Sequence, residues 1–164
     1  MATQIKNLSD FSQTTVPSAA PYKFGIVVAE WNASITNALR HGAHKSLIEH
    51  GALTQNIFTY AVPGSFELTL GADILLKNHK LNAVICLGCV IQGETRHFDF
   101  ICNAVANGIT NVSLKYSIPV IFGVLTTDDQ QQAIDRSGGK HGNKGVEGAV
   151  TAIKMAYLAE TLSN

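Results

Sequence analysis

Four short, mainly apolar segments recur along the chain, and each of them is followed by an amphipathic stretch. The segments cover residues 24–29, 56–62, 83–91 and 118–125. Because they are short and mainly apolar, we predict four strands, of which the run at 24–29 is buried and the run at 83–91 is buried on both faces. Strands that alternate with helices predict a parallel sheet covered by helices on both sides. We therefore predict a single domain with a three-layer α/β/α fold and a four-stranded parallel sheet of the flavodoxin-like type.

The stretches between these segments carry apolar residues at three- and four-residue steps, which is typical of helices with one buried face. We predict helices over residues 33–50, 65–77, 97–116, 128–136 and 146–162. Asn32, Ser65 and Thr95 are candidate N-terminal caps, and Gly51 is a candidate C-terminal residue of the first helix. Residues 1–21 lack such a period, so we predict an arm that is loose alone or lies over a neighbouring subunit, ahead of a domain over residues 22–164.

Composition indicates an assembly of several copies. The chain is 46% hydrophobic and only 15% charged, which leaves little polar surface to cover a monomer. Twelve basic residues balance twelve acidic ones, which argues against nucleic-acid binding. No run is long enough to span a membrane, and no signal pattern opens the chain, so we expect a cytoplasmic protein with no membrane partner.

Cys86 and Cys89 form a C-x-x-C motif, which in other proteins indicates a redox or zinc site. Within a strand, however, a separation of three residues directs the two side chains to opposite faces. No second C-x-x-C is present to complete a zinc site. We therefore predict buried free thiols, which suit a reducing compartment.

Polar and aromatic residues follow the predicted strands at their carboxyl ends, where open α/β sheets bind ligands. Trp31 follows the first strand, residues 63–67 follow the second, and residues 92–97 follow the third. They offer a flat ring for stacking, a hydroxyl with a carboxylate, and an imidazole beside free helix-start amides. Each group also has an interpretation that needs no ligand. Trp31 would pack in the core or at an interface, residues 63–67 would only begin the next helix, and residues 92–97 would form an ordinary loop. Phe122, within the fourth strand, is a core residue unless its ring reaches a pocket.

Residues 137–145 form the one glycine-dense segment. The P-loop spacing fails, because Asn143 stands before Lys144 and Gly145 follows it. We interpret the segment as a linker between helices, or as one that sets inter-subunit geometry with Arg136 ahead of it as an anion ligand. The first strand is followed by neither G-x-G-x-x-G nor an acidic pair, which argues against a dinucleotide and against a phospho-acceptor domain.

Several of these segments occur together and in a specific order. They read VPGSFE at 62–67, GCVIQGETRHFD at 88–99, PVIFGVLTTD at 119–128, and QAIDR at 132–136 running into GNKG at 142–145. Together they resemble the 6,7-dimethyl-8-ribityllumazine synthase family. The resemblance covers roughly residues 22–160 and leaves only the arm outside it.

The resemblance implies an enzyme of riboflavin biosynthesis that works at its penultimate step. Such an enzyme condenses 5-amino-6-(D-ribitylamino)uracil with 3,4-dihydroxy-2-butanone 4-phosphate and releases the lumazine, phosphate and water, with no metal or redox cofactor. It also implies a homopentamer with each site between neighbouring subunits. The linker at 139–145 resembles that of members that build a 60-subunit icosahedral capsid, so we expect a shell, with a free pentamer as the alternative. Riboflavin synthase is then a candidate partner.

The resemblance also assigns roles to individual residues. The residues implied to bind the pyrimidine and its ribityl chain are Trp31, Ser65, Phe66, Glu67, Cys89, Val90, Ile91, Phe122 of the adjacent subunit, and Lys144. Those implied to bind the phosphate are Glu94, Thr95, and Arg136 of the adjacent subunit. His97 is the implied catalytic residue, since an imidazole can both take and give a proton.

The sequence departs from the family pattern at two of these positions. Trp31 stands where phenylalanine is often found, and it keeps a flat face. Cys89 stands where a threonine or small residue is expected, which a backbone role tolerates.

Two other functions stay open at this stage. One is a non-catalytic shell or flavin-binding protein on the same scaffold, and the other is a flavodoxin-like nucleotide-binding module. The enzyme is favoured because a pure shell needs none of Trp31, Glu67, His97 and Arg136. The absent glycine fingerprint counts against the nucleotide module.

Overall fold

The computed structural model describes Asn7, residues 9–11 and residues 15–163. Its central feature is a four-stranded sheet in the order β2-β1-β3-β4, parallel throughout. The strands are β1 Phe24–Ala29, β2 Ile57–Val62, β3 Ala83–Ile91 and β4 Val120–Thr127. The predicted fold class is confirmed.

Five α-helices accompany the strands within the described residues. They are α1 Ala33–Glu49, α2 Leu68–Asn78, α3 His97–Tyr116, α4 Gln130–Asp135 and α5 Lys144–Ser163, with a 3-10 turn at Thr54–Asn56. α1 and α5 pack on one face of the sheet, and α2 and α3 pack on the other. None of these helices is long and apolar enough to cross a membrane.

The two thiols of the C-x-x-C motif lie on opposite faces of β3, as predicted. Cys86 packs with the α2 and α3 side chains, and Cys89 packs with those of α1 and α5. Both thiols are free and buried. Burial raises the pKa of Cys86 to about 12 and that of Cys89 to about 11, so neither is a thiolate at neutral pH.

Several predicted element boundaries were wrong by one to three residues, and two of the element starts have a clear physical reason. β4 begins at Val120 rather than at Ile118, because proline cannot donate to the ladder, and Pro119 contributes only its carbonyl, which accepts from the Val84 N–H (2.9 Å). α2 begins at Leu68 rather than at Ser65. Ser65 therefore does not cap this helix, and the backbone enters it through Glu67.

The glycine-dense segment is also more ordered than a helix linker. Ser137–Gly139 (β5) and Gly142–Asn143 (β6) pair as an antiparallel hairpin. α5 then begins at Lys144, two residues earlier than predicted. The reason is Asn143, whose Oδ1 accepts from the N–H groups of Gly145 (2.8 Å) and Val146 (3.3 Å) and so caps the helix.

The described part of the N-terminal arm packs on its own chain. Ala19 is fully buried, and its N–H donates to the His50 carbonyl (2.8 Å). Ser9 Oγ accepts from the Asn143 N–H (2.6 Å). For residues 1–6, 8 and 12–14, the prediction of an arm that is loose alone or lies over a neighbouring subunit falls outside the described residues.

Candidate active site

A cavity of about 660 Å³ lies at the carboxyl ends of β1, β2 and β3. The chain runs from β1 to β2 on one side and then to β3 on the other, so this is the switch point at which open α/β sheets bind ligands. The lining residues are Trp31, Asn32, Pro63, Gly64, Ser65, Phe66, Glu67, Cys89, Val90, Ile91, His97 and Ile101. Polar strand ends that are far apart in sequence therefore meet here.

Trp31 is 74% exposed and lines this cavity. A tryptophan that exposed is not a core residue, so of the two packing interpretations only interface packing remains beside ligand stacking. Its backbone, in contrast, is tied to the neighbouring strand end. Glu30 N–H donates to the Val62 carbonyl (2.8 Å), and Trp31 N–H donates to the Pro63 carbonyl (3.2 Å).

Ser65 carries a hydroxyl that is buried without a partner. The residue is only 7% exposed, and its Oγ has no hydrogen-bond partner among the described residues. Gly88 of β3 lies directly beside it, since a Cβ at that glycine would lie 2.6 Å from the Ser65 Oγ. The Ser46 Oγ is likewise buried without a partner, but of the two hydroxyls only that of Ser65 lines the cavity, where it can bond to a ligand.

The carboxylate of Glu67 lies close to the backbone turn before it. A Cβ at Gly64 would approach its Oε2 to 3.0 Å. Glu67 is exposed toward the cavity and precedes the first turn of α2, where helix amides favour an anion. The cavity thus combines a carboxylate and a hydroxyl at the end of β2.

The last residues of β3 extend beyond β1 and leave one edge unpaired. β3 pairs with β1 only as far as Leu87, but with β4 as far as Ile91. The carbonyl of Cys89 faces the β1 side, because it accepts from Asn32 Nδ2 (3.0 Å). Backbone groups alternate sides along a strand, so the N–H and carbonyl of Ile91 also face that side, whereas those of Val90 face β4.

His97 is the first residue of α3 and lines the cavity with an exposed side chain. Its N–H donates to Thr95 Oγ1 (3.4 Å), so the expected contact between the hydroxyl and the helix start is present. Glu94 and Thr95 are exposed residues of the loop between Ile91 and His97. They flank the cavity along the chain without lining it.

Three of the predicted site residues lie elsewhere, and we call them the Arg136 patch: Phe122, Arg136 and Lys144. Phe122 and Lys144 line a separate depression of about 320 Å³. Arg136 adjoins it, because its carbonyl accepts from the Lys144 N–H (2.9 Å). The ammonium of Lys144 pairs with Glu147 Oε2 (3.0 Å). A single chain therefore does not bring this patch to the main cavity.

Comparison with known proteins identifies the family. The family model of 6,7-dimethyl-8-ribityllumazine synthase matches residues 21–160. The chain belongs to the 6,7-dimethyl-8-ribityllumazine synthase family. The resemblance read from the motifs is thus confirmed.

Relatives that carry this name match almost the whole chain. The one from Cytophaga hutchinsonii is 59% identical over 99% of this chain and 100% of its own length. Those from Flavobacterium johnsoniae and Parabacteroides distasonis are 53% and 55% identical, over 99% and 97% of this chain and 86% and 99% of their own lengths.

Four residues of this lumazine synthase family member line the cavity without having been predicted as site residues: Asn32, Pro63, Gly64 and Ile101. Asn32 was predicted only as a helix cap, and its side chain makes no capping hydrogen bond. Pro63 and Gly64 belong to the 62–67 segment that carried the resemblance, so the sequence could have predicted that they line the site. Ile101 is part of the apolar stripe of α3, and nothing in the sequence distinguishes it from a core residue.

Proposed function

We propose that the protein condenses 5-amino-6-(D-ribitylamino)uracil with 3,4-dihydroxy-2-butanone 4-phosphate in the cavity at the carboxyl ends of β1, β2 and β3. The products are 6,7-dimethyl-8-ribityllumazine, one phosphate and two water molecules. One observation carries the proposal. In a member of the lumazine synthase family, an exposed indole, a buried unpartnered hydroxyl and an imidazole line one cavity. The reaction needs no redox or metal cofactor, because it consists of dehydrations and one phosphate elimination.

The pyrimidine ring stacks on Trp31 and meets the unpaired edge of β3. The exposed indole supplies a flat apolar face. The free N–H and carbonyl of Ile91 match the alternating donors and acceptors on a uracil edge. Cys89 and Val90 complete this wall, and the neutral Cys89 thiol takes no part in the chemistry.

The ribityl chain lies along Ser65, Phe66 and Glu67. A ribityl hydroxyl is the natural partner for the Ser65 Oγ, which has none among the described residues. Glu67 accepts from a further hydroxyl, and a charged acceptor strengthens such a bond. Lys144 of the adjacent subunit assists at this end.

His97 moves the protons that the reaction requires. The substrate amine attacks the ketone, and water leaves to give an imine. Phosphate is then eliminated, and the second nitrogen closes the ring with loss of a second water. His97 lies at the cavity wall beside the start of α3, where an imidazole can serve each step in turn. Much of the remaining acceleration comes from holding two substrates side by side.

The phosphate requires a cation that the cavity of one chain does not contain. No lysine or arginine is among its lining residues in the described part of the chain. We assign that role to Arg136 of the adjacent subunit, with Phe122 of that subunit against the pyrimidine. Glu94 and Thr95 contribute backbone amides and a hydroxyl at the start of α3.

We propose a homopentamer that assembles further into a 60-subunit icosahedral shell. Large apolar side chains of α2 and α3 are exposed in the single chain, among them Leu70 (60%), Phe100 (72%) and Leu114 (73%). Uncovered apolar surface of this kind is typical of an interface. Sedimentation of the purified protein tests the assembly, and a species of pentamer size alone would refute the shell.

A cytoplasmic location and an association with riboflavin synthase complete the proposal. Three free thiols suit a reducing compartment. A shell around a riboflavin synthase would bring the lumazine to the next enzyme. Copurification of the untagged partner with assembled shells tests this association.

The experiment for the activity mixes the purified protein with both substrates and follows the lumazine by absorbance and fluorescence. We expect formation well above the uncatalysed rate, with a much smaller gain for the Arg136→Ala variant at low phosphate-substrate concentration. No acceleration by a folded, oligomeric sample would favour a non-catalytic shell or a flavin-binding protein.

A further inference from the structure

Asn32 has an unusual backbone conformation next to the exposed tryptophan. Its φ is 60° and its ψ is 47°, which is the left-handed region. Within the described residues only one other non-glycine residue, Ser117 (φ 52°), has a positive φ. Asparagine is among the few residues that adopt this conformation readily. A residue held there beside a site is a sign of a local constraint.

The side chain of Asn32 is not used as a helix cap. Its carbonyl accepts from the N–H groups of Ile35 (2.9 Å) and Thr36 (3.0 Å), which begins α1. Its amide makes no capping bond. Instead, Nδ2 donates to the carbonyl of Cys89 (3.0 Å), which is 57 residues away on the unpaired end of β3. The amide therefore bridges the gap left where β1 has ended.

This bridge is the second of two attachments of the segment that carries Trp31. On the β2 side, the Trp31 N–H is bonded to the Pro63 carbonyl. On the β3 side, Asn32 supplies the bond. Trp31 is 74% exposed in the single chain, so packing within its own chain does little to fix the position of the indole. Within one chain, the backbone of residues 31 and 32 therefore sets where the ring lies.

We infer that Asn32 is a positioning residue that holds the Trp31 ring at a fixed distance from the β3 edge, so that a planar heterocycle fits between them. This inference rests on the proposed function for the identity of the heterocycle. Asn32 acts through Trp31 and the Cys89 carbonyl. Displacements of about 1 Å in such supports can lower rates by about 100-fold.

Two variants separate the amide bond from the backbone conformation. Asn32→Asp keeps the shape and tolerates the left-handed region, but it presents an acceptor to the Cys89 carbonyl. Asn32→Gly keeps the conformation accessible and removes the side chain. Ser117→Gly is the matched control, because it makes the same kind of change at the end of α3.

The first readout needs no substrate. Trp31 is the only tryptophan of the chain, so time-resolved fluorescence anisotropy of the full assembly reports on its ring alone. We expect both Asn32 variants to lower the residual anisotropy and Ser117→Gly to leave it unchanged. An Asn32→Asp variant whose anisotropy equals that of the unsubstituted protein would overturn the inference, whatever Asn32→Gly does.

The second readout compares the KM values for the two substrates. We expect KM for the pyrimidine to rise about tenfold in both variants, as for a lost hydrogen bond, and KM for the phosphate substrate to stay within about twofold. A parallel rise of both KM values together with a lower melting temperature would show a general structural role and overturn the inference. If the unsubstituted protein makes no lumazine, the proposed function fails, and the anisotropy alone decides whether Asn32 holds the ring.

Discussion

The cavity at the strand ends and the Arg136 patch differ in what they offer to a substrate. The cavity has an exposed indole, a buried hydroxyl, a carboxylate and an imidazole, and no lysine or arginine among its described lining residues. The Arg136 patch has two cations and a phenylalanine, on β4 and around the β5–β6 hairpin. One region suits a heterocycle with a polyol chain, and the other suits an anion. In our proposal each chain supplies one half of two different sites, so activity depends on assembly.

The two regions are also held by different means. The cavity is fixed by parallel strand ends and by close approaches such as that of Gly88 to Ser65. In the Arg136 patch, Phe122 is held by the pairing of β4 with β3, whereas the hairpin beside Arg136 and Lys144 is held by the side chain of Asn143. Its Nδ2 donates to the carbonyls of Ala38 and Ser137 (both 3.0 Å), while its Oδ1 caps α5. Substitutions in the cavity should therefore act locally, whereas loss of Asn143 should displace Arg136 and Lys144 and leave Phe122 in place.

The largest expected effect separates the two regions by substrate. We expect Arg136→Ala to raise KM for the phosphate substrate about 100-fold, since it removes a charge-assisted contact, and to leave KM for the pyrimidine nearly unchanged. Steady-state kinetics with each substrate varied in turn measures both values. Arg96→Ala is the control, because Arg96 is a highly exposed cation beside the cavity of its own chain. An unchanged KM in Arg136→Ala would refute the assignment, and an effect in Arg96→Ala instead would assign the phosphate to the same chain.

Substitution of Trp31 should instead affect KM for the pyrimidine. We predict that Trp31→Ala raises KM for the pyrimidine about 30-fold because the stacking face is lost, whereas Trp31→Phe keeps most of it. Isothermal titration with the lumazine product gives the same ranking without turnover. Equal losses in the alanine and phenylalanine variants would mean that the indole packs against a neighbouring subunit instead of a ligand.

A smaller effect is expected from His97. We predict that His97→Ala lowers kcat about tenfold and leaves both KM values close to normal, because the positioning of two substrates carries most of the acceleration. Single-turnover measurements isolate the chemical steps from product release. A fall to the uncatalysed rate would show that proton transfer outweighs positioning.

A variant of Asp73 tests whether a general loss of stability can produce the KM changes predicted for the Arg136 and Trp31 variants. Hydrogen bonds from Lys115 and Lys77 lower the pKa of this carboxyl to about 2. The stabilisation is thus complete above the ordinary carboxyl pKa and is lost as pH falls through about 2. We expect Asp73→Asn to cost about 1 kcal/mol at pH 7, a small value because both lysines are more than half exposed, and to leave both KM values unchanged.

Thermal unfolding at several pH values measures this contribution. The gap between Asp73→Asn and the unsubstituted protein should narrow as pH falls from 4 toward 2. Glu49→Gln removes a carboxylate from an exposed pair and should show no such gap. A constant gap at all pH values would mean that Asp73 stabilises by packing.

The apolar pattern was sufficient to predict the sheet and most of its elements. β1, β3 and α3 begin and end at the predicted residues, because a run of buried residues or a continuous helical stripe marks each of them. The start of α5 was missed, since it depends on Asn143, whose partners include Ala38, 105 residues away. Local propensity carries no information about such a contact.

Residues of the candidate site were predictable where a polar or titratable side chain comes soon after the end of a strand. Ser65, Glu67 and His97 were singled out for that reason, and all three line the cavity. Asn32 was not, because its role depends on β1 ending before β3, a feature of strand register. The separation of Phe122 and Lys144 from the cavity is likewise a property of the folded chain.

The central claim is that one site combines the cavity of one chain with the Arg136 patch of another. Coexpression of a Trp31→Ala/Glu67→Ala chain with an Arg136→Ala chain, each with its own tag, yields mixed assemblies after two purification steps. At low concentrations of both substrates, both parent variants should be nearly inactive. We predict that mixed assemblies regain about a quarter of the unsubstituted activity, because that share of interfaces pairs an intact cavity with an intact patch. Mixed assemblies no more active than their parents would contradict the claim.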